Sequence, residues 1–269
     1  AEARQLLAWH APLFEIEQLG SYDHFGSPHW GADGTPRVDS GQPVVYQRLA
    51  HTRWGGRWHL QLVYTLWFPE RPARSAFDIL AGALDGVVVR ITLDEHGRAL
   101  LVDSIHACGC YHLFFPSPAV RPREGAPRAQ EWLFAPAPLP PLQVGDRLVV
   151  RISSATHDVL GLLATPRETA TGRPYALVAE DALRSRPAPG GRRSLYGPDG
   201  LVAGTARGER FLFWPMGIAS AGAMRQWGQH ATAFDGRRHF DDVDLLERRF
   251  HPPEPRPGPA PAGAPGRPD

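Results

Sequence analysis

Residues 58–68 read Trp-His-Leu-Gln-Leu-Val-Tyr-Thr-Leu-Trp-Phe, and this run constrains the fold more than any other stretch. Trp58, Leu60, Leu62, Tyr64, Leu66 and Phe68 alternate onto one face. His59, Gln61 and Thr65 fall on the other, with Val63 and Trp67. A period of two sustained over this length predicts a half-buried strand. Residues 44–50 read as its partner, reached through the Gly55-Gly56 turn, and residues 87–93 and 99–105 as a hairpin around Asp94-Glu95-His96-Gly97. Residues 147–153 and 175–179 add further strands.

Helical patterns are fewer. Ser75 can cap a helix over 76–84, with Asp78 placed as in a capping box. Met224, Trp227, Ala231 and Phe234 stand at helical spacing within 221–234, behind Ser220 as a cap. A short helix is expected over 242–250, capped by Asp241 or Asp242, with Arg248 and Arg249 at its negative end. The fold class is therefore α+β and β-rich: antiparallel sheet or sheets with a few peripheral helices.

Proline marks the boundaries. Residues 251–269 hold eight prolines and almost nothing apolar beyond alanine, which predicts a disordered, polyproline-like C-terminal tail. Residues 116–141 also hold eight, but strand-like sequence resumes at Asp146. That stretch reads as a long surface connection inside one globular unit spanning 1–250.

Composition narrows the function classes. Eight Trp, twelve Phe and six Tyr in 269 residues exclude a wholly disordered chain. A net charge of +1 argues against nucleic acid as the partner, leaving a small molecule or a protein. No apolar run is long enough for a transmembrane helix, so a soluble protein is expected. Lysine is absent, which removes Schiff-base, P-loop and lysine general-base chemistry, and asparagine is absent, which removes N-glycosylation. No nucleotide-cofactor motif occurs. The chain starts Ala1-Glu2-Ala3 without Met, so processing or trimming is expected, and an exported or periplasmic location is favoured over a cytoplasmic one.

The densest reactive segment is His106-Ala107-Cys108-Gly109-Cys110-Tyr111-His112, which contains both cysteines of the chain. Thiolate and imidazole are preferred ligands of zinc and copper. In an extended strand these four side chains share a face, but the outer two stand about 20 Å apart, so one ion cannot reach all four unless the chain bends at Gly109. The candidate ligands are thus His106, Cys108 and Cys110, completed by His230 or His239, with Asp241 and His112 orienting a ligand from behind. Zinc or copper would be the cofactor. Two other readings compete: a non-catalytic β-rich module that binds a ligand or partner, and a Cys-Gly-Cys thiol/disulfide redox centre. A third cluster, residues 22–30, mixes aromatic, His and Asp side chains in a Gly/Pro loop.

Overall fold

The computed structural model describes residues 2–123, 133–232 and 237–253. Two sheets dominate it. The larger has six strands in the order Ala176–Ala179, Val44–Trp54, Arg57–Arg71, Gly82–Leu93, Ala99–His106, Leu113–Pro116. Its pairings are antiparallel except the first, which is parallel. The smaller places Asp146–Ile152 between Leu13–Ile16, which runs parallel to it, and Val159–Pro166, which runs antiparallel. The expected strands are all present, and so is the 44–50 partner across the Gly55-Gly56 turn.

The two sheets share a core. Leu62, Tyr64, Leu66 and Phe68 pack with Val87, Val89 and Ile91 of the larger sheet and with Phe14, Leu148, Val150 and Ile152 of the smaller. Alternation predicts this set, because side chains two apart point the same way.

The prediction of a half-buried strand is corrected. Every residue from Gln61 to Phe68 is buried, on both faces. The second face is covered by the C-terminal part of the chain: Val63 and Val88 pack with Phe240, and Trp67 packs in a cluster with Tyr196 and Met224. Trp58, at the start of the run, is exposed. Covering the second face also buries polar residues. Arg90 and Asp103, paired across neighbouring strands, form an ion pair at 3.0 and 2.6 Å with almost no exposure, and the Arg90 guanidinium lies 3.7 Å from the centre of the Phe240 ring.

The expected helices mostly fail. Residues 76–84 form turns and the start of a strand, and the Asp78 carboxylate accepts the backbone N–H groups of Arg74 and Leu80. Across 221–232 there is no helix: Gly222 and Gly228 take φ of 81° and 89°, and Arg225 bridges Leu201 while Ala231 bridges His239. Helical spacing of apolar residues is overridden here by long-range pairing. The rest of that expected helix, 233–234, lies outside the described residues. The last helix is confined to Leu245–Arg249, with Asp244 at its cap position; Asp242 instead accepts the N–H of His239. A helix over Glu2–His10 went unpredicted.

Residues 124–132 of the Pro-rich connection, and the expected tail from 254 onward, lie outside the described residues. Among those described, Phe250–His251 pairs with Arg121–Pro122, and no helix is long and apolar enough to cross a membrane.

Candidate functional site

The strand Ala99–His106 ends in a tight turn. The carbonyl of His106 accepts the N–H of Gly109 at 2.8 Å, and the N–H of His106 donates to the carbonyl of Cys110 at 2.9 Å. Gly109 has φ of 94°, and a Cβ there would sit 2.9 Å from the carbonyl oxygen of Ala231, so only glycine fits. The extended arrangement of 106–112 is therefore replaced by a fold-back at Gly109. The turn brings the two cysteine thiols against each other, both free, with Cys108 buried and Cys110 partly exposed.

His106 lies behind them in a chain of buried groups drawn from distant parts of the sequence. Its Nε2 is 3.5 Å from Asp158 Oδ1, and its Nδ1 is 3.8 Å from Asp85 Oδ1. The other Asp85 oxygen is 2.8 Å from His157 Nδ1, and His157 Nε2 is 3.6 Å from Asp23 Oδ1. The His157 ring stacks on Phe68 at 3.8 Å between centroids. Asp23, Asp85 and His157 are fully buried, whereas the Asp158 side chain reaches solvent. Asp85 comes from the strand beside His106. His157 and Asp158 come from the loop between the two long strands of the smaller sheet, and Asp23 from the single turn Ser21–Asp23. The site thus lies where one end of each sheet meets the other.

The charges follow from this packing. Burial works against a charged His106, but the carboxylates of Asp158 and Asp85 outweigh it and push its pKa up to about 10. Contact with Cys110 and the positive charge of His106 lower the Cys108 thiol to about 7, against burial. The shared proton and burial push Cys110 well above its ordinary value. At neutral pH the turn therefore holds an imidazolium beside a half-ionised thiol, with a protonated thiol next to both.

Farther out, Arg71 lies 5.8 Å from the Tyr111 ring centre, and the buried Glu209 and Arg225 act electrostatically on Cys110. Burial raises Glu209 above its ordinary range. A Cβ on Gly222 would lie 2.0 Å from Glu209 Oε1, so the glycine leaves room for that carboxylate.

Backbone strain concentrates around the same place. Among the described residues, Leu84, Tyr111, Ala155, His157 and Ser220 have φ between 46° and 65° without being glycine. Leu84 precedes Asp85, Tyr111 follows Cys110, and Ala155 and His157 shape the loop that carries Asp158. Ser220 offers its carbonyl to the Arg225 guanidinium at 2.9 Å. Each such conformation costs on the order of 1–3 kcal/mol and persists only where surroundings impose it, as functional sites often do.

The remaining candidates separate. His112 leaves the turn and donates from Nε2 to the Asp103 carboxylate at 2.8 Å, joining the Arg90 pair. His230 is buried with neither ring nitrogen hydrogen-bonded among the described residues; burial, then the charges of Arg225 and His239, lower it to about 3. His239 Nδ1 lies 3.1 Å from the carbonyl oxygen of Gly228, and Asp241 Oδ1 is buried without a partner among the described residues. No group of three or more His, Cys, Asp or Glu side chains among the described residues is placed to hold a metal ion. Of the residues singled out in the sequence, the structure keeps His106, Cys108 and Cys110 together in one turn. Sequence reasoning missed Asp85, His157 and Asp158, which belong to no local motif; of the loop 22–30, only Asp23 joins the site.

Three buried carboxylates make the fold acid-sensitive. Burial would raise Asp23, but four hydrogen bonds, from Ala155, Leu19, Ser154 and Gly20, outweigh it. For Asp85 the two histidines outweigh burial, and for Asp103 the charge of Arg90 and the bond to His112 do so. All three are held below their ordinary 3.8. A depressed folded-state value contributes stability that is complete above the unfolded-state value and is lost as pH falls through the folded one. The denaturation midpoint is therefore expected to be flat with respect to these groups near neutrality and to drop steeply below about pH 4. A midpoint unchanged down to pH 2.5 would contradict the burial of these groups.

The fold and the site together define a β-rich two-sheet protein with a Cys-Gly-Cys turn backed by histidines and carboxylates. No protein-family model and no curated protein matches the chain. One solved structure, described as "Toxin fold for microbial attack and plant defense", aligns over 67% of this chain and 75% of its own, at 11% identity and a TM-score of 0.36. At that level of similarity the activity of that protein does not carry over to this one.

Proposed function

We propose that Cys108 and Cys110 form a thiol–disulfide exchange centre that works as an oxidant of other thiols. The observation that carries the reading is the contact of the two thiols at a turn rim, with His106 positioned beside Cys108 by Asp85 and Asp158. A thiolate stabilised in the reduced form makes the disulfide form easier to reduce, hence more oxidising.

The exchange divides between the two sulfurs. In the oxidised form an incoming substrate thiolate attacks Cys110, the more exposed sulfur. The Cys108–Cys110 bond breaks, a Cys110–substrate disulfide forms, and Cys108 leaves as the thiolate facing the His106 imidazolium. Its depressed pKa makes it the better leaving group. A second substrate thiolate then attacks the substrate sulfur. The substrate disulfide forms, Cys110 departs and takes a proton, and two electrons have passed from substrate dithiol to protein. A small disulfide of the glutathione class restores the oxidised pair.

The test is equilibration in glutathione buffers of graded ratio, followed by quenching and thiol counting. Two thiols per chain in the reduced form and none in the oxidised, as a monomer and reversibly, are expected. A pair that stays reduced in pure glutathione disulfide overturns the reading. Stoichiometric zinc or copper in chelator-free protein, lost in the Cys108→Ser, Cys110→Ser variant, would favour the metal centre instead. A ligand bound equally by that double variant and the parent would favour the non-catalytic module.

A further inference from the structure

Beside the thiol pair lies an apolar surface that the exchange chemistry itself does not use. Phe77 is 92% exposed, Trp214 74%, Phe211 68% and Leu212 63%. Large apolar side chains this open are costly when clustered, and a cluster marks a contact surface. Two segments supply them, and they are joined: the N–H of Glu209 donates to the carbonyl of Ile79 at 3.2 Å, and a Cβ on Gly208 would meet Ile79 at 3.0 Å. The Glu209 carboxylate sits against Gly222, and Arg225, three residues farther on, donates its backbone N–H to the carbonyl of Ala107 at 3.0 Å, which joins this surface to the turn that carries the sulfurs. Tyr111, next to Cys110 in the chain and 45% exposed, has the Arg71 guanidinium 5.8 Å from its ring centre, and Arg71 opens the segment that carries Phe77.

The rim is cationic. Arg210 lies 4.7 Å from the Phe211 ring centre, Arg71 leans toward Tyr111, and Arg74 is exposed nearby. Of the acids near these segments, Asp78 is engaged by backbone N–H groups of its own loop, Glu209 is buried and Asp158 faces His106, which leaves the exposed Glu70 against the three arginines.

We propose that the surface formed by Phe77, Phe211, Leu212 and Trp214 is the docking site for the substrate of the thiol pair: an unfolded, cysteine-bearing polypeptide segment with apolar and acidic side chains. The inference rests on the thiol-exchange reading. Charge complementarity to Arg71, Arg74 and Arg210 selects the acidic character, and continuity with Cys110 selects a partner that brings a thiol rather than one that only binds. Aromatic and aliphatic side chains of an unfolded segment bury against the exposed rings, which raises the effective concentration of its thiol at Cys110. Exchange is the two-step transfer already described, with the peptide dithiol oxidised and the Cys108–Cys110 disulfide reduced.

The test compares three thiols on the oxidised full chain: glutathione, an acidic peptide dithiol containing Phe and Leu, and a peptide dithiol of equal length made of Gly and Ser. The wild type is expected to oxidise the apolar acidic peptide at least about tenfold faster than the Gly/Ser one. The Phe211→Ser, Trp214→Ser variant, altered only at exposed positions, loses that preference while its rate with glutathione stays unchanged. Equal rates for the two peptides in the wild type overturn the docking site, and normal glutathione exchange in that result leaves the thiol centre standing. Absence of exchange with glutathione removes the thiol centre and this surface's role with it. Co-sedimentation with phosphatidylserine vesicles that the double variant abolishes, without any peptide preference, assigns the surface to lipid and also overturns the proposal.

Discussion

Asp103→Ala is expected to destabilise the protein by about 3–5 kcal/mol in urea denaturation, because it strips a buried guanidinium of its counter-charge. Asp103 makes two contacts with Arg90, at 3.0 and 2.6 Å, and one of 2.8 Å with His112. Arg90 and Asp103 are almost wholly shut off from water. Arg90 also donates to the carbonyl of Phe240 and stacks on its ring, so the pair fastens the C-terminal segment onto the large sheet. The cost in the single variant comes from the orphaned charge and not from a large intrinsic worth of the pair. A double variant, Arg90→Met with Asp103→Leu, should accordingly recover most of the loss. A single-variant cost below about 1 kcal/mol would mean that water reaches the pair.

His106→Gln is expected to slow alkylation of Cys108 by iodoacetamide about tenfold at pH 6, where the thiolate is the minor form and its fraction falls tenfold per unit rise in pKa. The parent profile should titrate at about 7. Contact with Cys110 is the largest influence on that value and survives the substitution, so the midpoint shifts without returning fully to an ordinary thiol. Site-resolved peptide mass spectrometry separates alkylation of Cys108 from that of Cys110, so both cysteines stay in place. Glutamine keeps the size of the side chain but cannot carry the positive charge, so circular dichroism should be unchanged. An unaltered pH profile would separate His106 from the thiol and leave the oxidising character of the pair without a cause.

Asp85 shows how the site was partly hidden. In sequence it stands near the start of an apolar run, 85–93, and nothing local marks it. Its partners His106 and His157 lie on the neighbouring strand and 72 residues away across the second sheet. His157 and Asp158 stand in the loop before Val159–Pro166 and belong to no sequence pattern. By contrast the Cys-Gly-Cys segment was visible because its chemistry is contiguous, and strand dimensions marked Gly109 as the place where a bend would have to fall for one ion to reach all four side chains. The failed helix over 221–232 has the same cause as the hidden carboxylates. Apolar residues at helical spacing there serve a surface built by strands far away in the chain, and two left-handed glycines break the spiral.

What the sequence determined by itself was therefore local: the alternating strands, their hairpin turns, and the pairing of two thiols in one three-residue segment. Each depends on backbone geometry within a few residues, which side-chain order encodes directly. The tertiary structure alone decided that the central strand is buried on both faces, that His112 joins Arg90 and Asp103, and that Asp23, Asp85, His157 and Asp158 gather behind His106. Those outcomes depend on which distant segments exclude water together, and burial then sets whether each group is charged.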